Sequence, residues 1–76
     1  MDVAKAFGSV LRIERKRAGL TQEQLALICG YQRNYMSLLE RGVHQPTLKT
    51  IFDLAGALHC DPVDMVAQVA RMMSQS

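Results

Sequence analysis

The sequence predicts an all-α domain of about five helices, and three observations carry that prediction. Apolar residues recur at three- and four-residue spacing along the chain, and no stretch reads convincingly as a strand. Start and stop signals divide the 76 residues into short segments: Thr21, Thr47 and Asp61 precede such patterns, and Gly19, Gly30 and Gly42 follow them. The composition, 49% hydrophobic with two Pro and five Gly, is that of one packed globule and not of a disordered chain.

The first helix is expected from about Val3 to Ala18, with Val3, Phe7, Val10, Leu11 and Ala18 at helical spacing and Gly19 ending it. Thr21 and Gln24 form a capping box, the hydroxyl accepting from the Gln24 amide while the Gln24 side chain reaches back. Helix two then runs to about Cys29, and Gly30 supplies the left-handed residue of a tight turn. Helix three follows from about Gln32 to Arg41. After the loop ending in Pro46, Thr47 caps helix four, with Leu48, Ile51, Leu54, Ala55 and Leu58 facing inward. Asp61 and Pro62 start helix five, expected over about 62–73 and also serving dimerisation, and Ser74 to Ser76 should fray.

Composition excludes several classes. No run approaches the eighteen or so apolar residues of a membrane span, and Asp2, Lys5 and Arg12 interrupt any signal-peptide core, so a cytoplasmic protein is expected. Cys29 and Cys60 read as small buried hydrophobes, and with His44 and His59 they match no zinc spacing. No nucleophile and base come together, no phosphate-binding glycine loop is present, and Ser9, Ser37 and Cys29 have ordinary structural readings. Neither an enzyme, a cofactor nor a metal is expected.

Charge is uneven although the net value is only +2. Up to Gly42, Lys5, Arg12, Arg15, Lys16, Arg17, Arg33 and Arg41 face Asp2, Glu14, Glu23 and Glu40; beyond it, Lys49 and Arg71 face Asp53, Asp61 and Asp64. A basic front half and a near-neutral back half suit a nucleic-acid face and a protein face.

Two helices joined through a short glycine turn make a helix-turn-helix, whose second helix enters the major groove while the first lies across the backbone. Leu25, Ala26 and Cys29 pack helix two inward, and Met36 and Leu39 do so for helix three. At about 100° per residue, Asn34, Ser37, Leu38 and Arg41 then point away, with Arg33 on the flank. Arg forks onto guanine O6 and N7, Asn onto adenine N6 and N7, and Ser is adaptable. The plain alternative for Arg33 and Asn34 is solvated surface, which the complete motif around them outweighs.

The residues resemble the Cro/cI-like, or XRE-type, helix-turn-helix DNA-binding family over roughly Phe7 to Val66. The matching elements are Leu11 and Arg12, Arg15 four before Gly19, GLTQEQLA from Gly19 to Ala26, Gly30, LERG from Leu39 to Gly42, and PTLKTIFDLAGAL from Pro46 to Leu58. The string QRNYMS, Gln32 to Ser37, is most similar to the controller proteins of restriction-modification systems. The chain departs at Glu14, where relatives often carry an apolar residue that Ile13 is expected to replace in packing, and at Phe52, on a usually polar face.

The resemblance implies a lambda-repressor-like fold with the helix-turn-helix at helices two and three. It implies that Arg33, Asn34 and Ser37 read bases with Gln32 and Leu38 at the margin, that Gln22 contacts phosphate from the helix-two N-terminus, and that Tyr35, Arg41 and His44 add phosphate contacts. Arg15 and Glu40 resemble the family's structural ion pair.

Helix five carries two apolar stripes, Val63, Val66, Ala70 and Met73 beside Met65, Val69 and Met72, a wider arc than one small core requires. A homodimer is therefore expected, with Phe52, Met65, Val66, Val69 and Met72 at the interface. The function expected is a DNA-binding transcriptional regulator, most simply a repressor, on a palindromic operator in double-stranded DNA. RNA polymerase would be a partner if a controller activates; the alternatives are an antitoxin binding a toxin protein and a protein-interaction module of the same fold.

Overall fold

The computed structural model describes residues 1–75, which form five helices and no strand: α1 (Val3–Arg17), α2 (Gln22–Cys29), α3 (Arg33–Glu40), α4 (Leu48–Leu58) and α5 (Pro62–Ser74). Four of these start on a side chain that accepts a first-turn amide. Asp2 accepts from the Lys5 amide, Thr21 from Gln24, Thr47 from Thr50 and Asp61 from Val63. Each such cap stabilises its helix by roughly 1 kcal/mol. Only α3 begins without one.

The helices surround a core built from Phe7, Val10 and Leu11 of α1, Leu25 and Ala26 of α2, Met36 and Leu39 of α3, Leu54, Ala55 and Leu58 of α4, and Met65 and Val69 of α5. Burying each of the larger side chains contributes roughly 1.5–3 kcal/mol. α1 packs against both α3 and α5, and α2 against α3 and α4, so α3 is held from two sides.

Several boundaries and orientations differ from expectation. Ala18 is the exposed cap of α1, Gln32 and Arg41 cap α3 from outside, and α5 continues through Ser74, whose Oγ donates to the Arg71 carbonyl (2.9 Å); Ser76 lies outside the described residues. Leu48, expected inward, is 70% exposed, and Val3 is also exposed. On α5 the two apolar stripes have separate fates. Met65 has no exposed surface and Val69 only 7%, so both belong to the core of the single chain and are corrected from the expected interface. Met72 is half-buried against that core, whereas Val66 is 48% exposed.

Ile13 does not take over the packing of Glu14, because Ile13 is exposed and Glu14 itself turns toward α5. The Glu14 carboxylate accepts from Arg17 Nη1 (3.0 Å), Cys60 Sγ (3.3 Å) and Gln68 Nε2 (3.5 Å). Three donors replace the apolar contact that this position would otherwise make. Burial, and then the bond to Glu14, push the Cys60 thiol up.

One close approach has no counterpart in the hydrophobic pattern. A Cβ on Gly8 of α1 would stand 2.5 Å from the Glu40 carbonyl oxygen and 2.6 Å from that of Leu39. Both neighbours are backbone and cannot rotate away. Gly8→Ala is expected to force α1 and α3 apart and lower stability by about 1–3 kcal/mol, measured as a reduced urea midpoint with an unchanged m-value.

Candidate nucleic-acid interface

The turn before α3 follows from its backbone requirements. Gln24 Oε1 accepts from the Thr21 amide (2.9 Å) and Thr21 Oγ1 from the Gln24 amide (3.1 Å), completing the capping box at the start of α2. At its end Gly30 takes φ +77°, a left-handed conformation that glycine enters without steric penalty. The Tyr31 amide can then donate back to the Ala26 carbonyl (2.9 Å), and the chain turns into α3 within three residues.

Met36 and Leu39 anchor α3 with no exposed surface. Gln32, Arg33, Asn34 and Arg41 are exposed, and Ser37 and Leu38 half-buried, on the remaining arc. Among the described residues, the side chains of Gln32, Arg33, Asn34, Ser37 and Arg41 form no hydrogen bond or ion pair within the chain. The first turn of α3 has no acidic residue, its Gln32 cap makes no side-chain bond, and its first residue is Arg33. A cation at the positive end of a helix dipole is unfavourable by a few tenths to about 1 kcal/mol in isolation. An anion placed there reverses the sign.

The other site residues are distributed as follows. His44 and Arg41 are exposed; Tyr35 is half-buried, its ring edge-on to His44 with centroids 6.5 Å apart. Gln22 is half-buried and its Nε2 donates to Glu40 Oε1 (3.1 Å), so its amide nitrogen faces into the fold.

That carboxylate is a hub. Arg15 Nε donates to Glu40 Oε2 (2.5 Å), Arg15 Nη2 to Oε1 (3.0 Å) and Arg15 Nη1 to the Leu20 carbonyl (2.8 Å). The ion pair is nearly enclosed, with the Arg15 and Glu40 side chains 11% and 3% exposed. The bond to Glu40 holds the Arg15 guanidinium charged even more firmly than usual, against the opposing effect of burial. One network therefore joins α1, the entry to α2 and the end of α3.

A second network was not anticipated. Tyr31 Oη donates to Asp53 Oδ2 (2.6 Å), Lys49 Nζ donates to the same oxygen (2.8 Å), and the Tyr31 and Tyr35 rings meet edge-on at 5.3 Å. Lys49, then Tyr31, hold the Asp53 carboxyl below its ordinary range, and Asp53 in turn pushes the Tyr31 phenol up. With its folded value lowered, Asp53 adds stability above the ordinary carboxylate range, and that contribution is lost as pH falls through the lowered value. Lys49 and Asp53 at i and i+4 on one helix were a readable signal; their reach to Tyr31 was not.

No group of three or more His, Cys, Asp or Glu among the described residues is placed to hold a metal ion, and no helix is long and apolar enough to cross a membrane. What the arrangement offers is a presented helix face with uncommitted donors at its positive end. The family model described as helix-turn-helix matches residues 11–65.

The chain belongs to the helix-turn-helix family.

Its relatives include an uncharacterised helix-turn-helix-type transcriptional regulator of Sinorhizobium fredii, y4dJ, 41% identical over 66 residues that span 87% of this chain and 86% of the relative. Among solved structures, the clp gene regulator ClgR of Corynebacterium glutamicum superposes with a TM-score of 0.90 at 27% identity, covering 96% of this chain and 95% of that one. The restriction-modification controller protein C.AhdI of Aeromonas hydrophila superposes with a TM-score of 0.79 at 39% identity, over 82% of this chain and 94% of that one. The likeness of Gln32 to Ser37 to controller proteins thus has a counterpart at the level of the whole helix-turn-helix chain.

Within this helix-turn-helix, Glu40→Ala would leave the Arg15 guanidinium enclosed without its acceptor. Stability is expected to fall by about 3 kcal/mol in urea titrations, with no change in the preferred DNA sequence.

Proposed function

We propose that the chain is a sequence-specific transcriptional regulator that binds a palindromic operator as a homodimer in the cytoplasm, and that it acts as a restriction-modification controller. The observation that carries this reading is the state of α3: an exposed, uncapped helix start bearing Arg33 and Asn34, whose side chains have no hydrogen-bond or ion-pair partner among the described residues. Its donors suit base edges and phosphates, and an anion supplies what the helix end lacks. Arg33, Asn34 and Ser37 take base edges, with Gln32 and Leu38 beside them. Arg41, Tyr35, His44 and the α2 start at Gln22 take phosphates. No catalytic role is assigned to any residue.

An apolar face on α4 and α5 supports the dimer. Leu48, Ile51, Phe52, Pro62, Val63 and Val66 line a groove of about 230 Å³, and Ile51 and Val66 continue into a second one bordered by Val3 and Pro46. Phe52 is 57% and Val63 71% exposed, and they line one contiguous groove, the arrangement that marks an interaction surface. A two-fold axis through this face would set the paired α3 helices on half-sites about 10 base pairs apart, centre to centre. Occupancy of a promoter represses; a contact with RNA polymerase would activate. A toxin seated on the same face is the competing occupant, and a second protein co-purifying in fixed ratio would reveal it.

Selection from a random duplex pool at two salt concentrations tests the reading: a palindrome whose preference survives higher salt is expected, and salt-sensitive, sequence-blind binding would overturn it. On the recovered operator, Arg33→Ala should cost about 1–3 kcal/mol and relax preference at one base pair, whereas equal weakening on every duplex would demote Arg33 to a phosphate contact. Phe52→Glu combined with Val66→Glu, both at exposed positions, should leave the helical signal intact and give a monomer by sedimentation.

A further inference from the structure

Two tyrosines bracket the reading residues. Tyr31 immediately precedes Gln32, Arg33 and Asn34, and Tyr35 immediately follows them. Each is tied to α4. Tyr31 Oη donates to Asp53 Oδ2 (2.6 Å), an oxygen that Lys49 also holds (2.8 Å). Tyr35 Oη lies 3.5 Å from Thr50 Oγ1, and that hydroxyl is itself bonded to the α4 cap, Thr47 Oγ1 (2.9 Å). The two rings then meet edge-on at 5.3 Å, closing a loop from α4 through the turn and first turn of α3 and back to α4.

This arrangement answers a deficiency described above. α3 is eight residues long, has no side-chain cap and carries Arg33 at its positive end, so nothing within the helix fixes its start. A charged acceptor with a short bond to a phenol is among the stronger neutral-donor hydrogen bonds, and an edge-on aromatic pair adds direction to it.

We infer that Tyr31 and Asp53 are positioning residues for base reading: Asp53 on α4 clamps Tyr31, and the Tyr31 and Tyr35 ring pair sets where Gln32, Arg33 and Asn34 are presented. The inference rests on the reading of α3 as the DNA-reading helix and extends it to residues remote from the groove. It also gives α4 a double duty. Leu48 and Phe52 lie on its exposed apolar side, and the next residue after each, Lys49 and Asp53, forms the clamp. Whatever steadies α4 in a dimer steadies the clamp as well.

The test uses the full chain and the operator recovered by the wild type. Tyr31→Phe keeps the ring and removes the hydroxyl, and Asp53→Ala removes its acceptor. Each is expected to lower operator affinity relative to random duplex, so the ratio of the two falls about tenfold, with the random-duplex affinity of Tyr31→Phe unchanged. The double variant should lose no more than either single one, as a shared interaction requires. In the DNA-free protein, amide exchange at Tyr35 and Met36 should rise about tenfold with α1 and α5 still protected. An unchanged ratio with unchanged exchange, or equal losses on operator and random duplex, would overturn the inference. Failure of the underlying reading has a different signature, a wild type that selects no sequence at all, and it would remove the inference with it.

Discussion

The Glu40 carboxylate is the constraint on which the rest of the arrangement depends. Its two oxygens accept three donors from two side chains, Arg15 of α1 and Gln22 at the start of α2, and it sits at the last residue of α3. Arg15 extends the same network to the Leu20 carbonyl in the turn between α1 and α2. A carboxylate so enclosed is tolerable only because every donor is present, which makes the network demanding as well as cohesive. Gly8 brings the α1 and α3 backbones close enough for it to form.

Around that hub, stability is distributed away from the exposed face of α3. α1, α2, α4 and α5 carry their own caps, while α3 is positioned by Met36 and Leu39 beneath it, Glu40 at its end and the tyrosines at its start. Helices this short are marginal by themselves, and tertiary packing supplies what local propensity does not. α3 is thus an element that its neighbours hold in place.

Much of this was legible in the sequence because it is local. Caps at Thr21, Thr47 and Asp61, the turn at Gly30 and the inward pair Met36 and Leu39 all follow from spacing and side-chain chemistry. Orientation failed where periodicity was ambiguous. On α5 both stripes are apolar, and only the crossing of α5 over α1 and α4 decides that Met65 goes in while Val63 and Val66 stay out. Leu48 was misplaced for the same reason, since a first-turn residue can lie at the rim of a core that the helix enters one turn later. Glu14 and Tyr31 were illegible for another: their partners Cys60, Gln68 and Asp53 lie 46, 54 and 22 residues away, and nothing in one sequence announces such pairings. Gly8 needed the approach of a second backbone, which leaves no hydrophobic signature.

Among the described residues, the side chains of Gln32, Arg33, Asn34 and Ser37 make no hydrogen bond or ion pair, while Tyr31, Tyr35, Met36 and Leu39, interleaved among them, are bonded or buried. Within one eight-residue helix and its entry, the positions free to vary and the positions bound to stay are therefore different residues. On the proposed role of α3, a lineage of such chains can drift from one DNA address to another by single exchanges at the free positions, each intermediate still folding. Diversification of targets on this scaffold has few stability barriers to cross, and a regulator and its operator can change together in small steps.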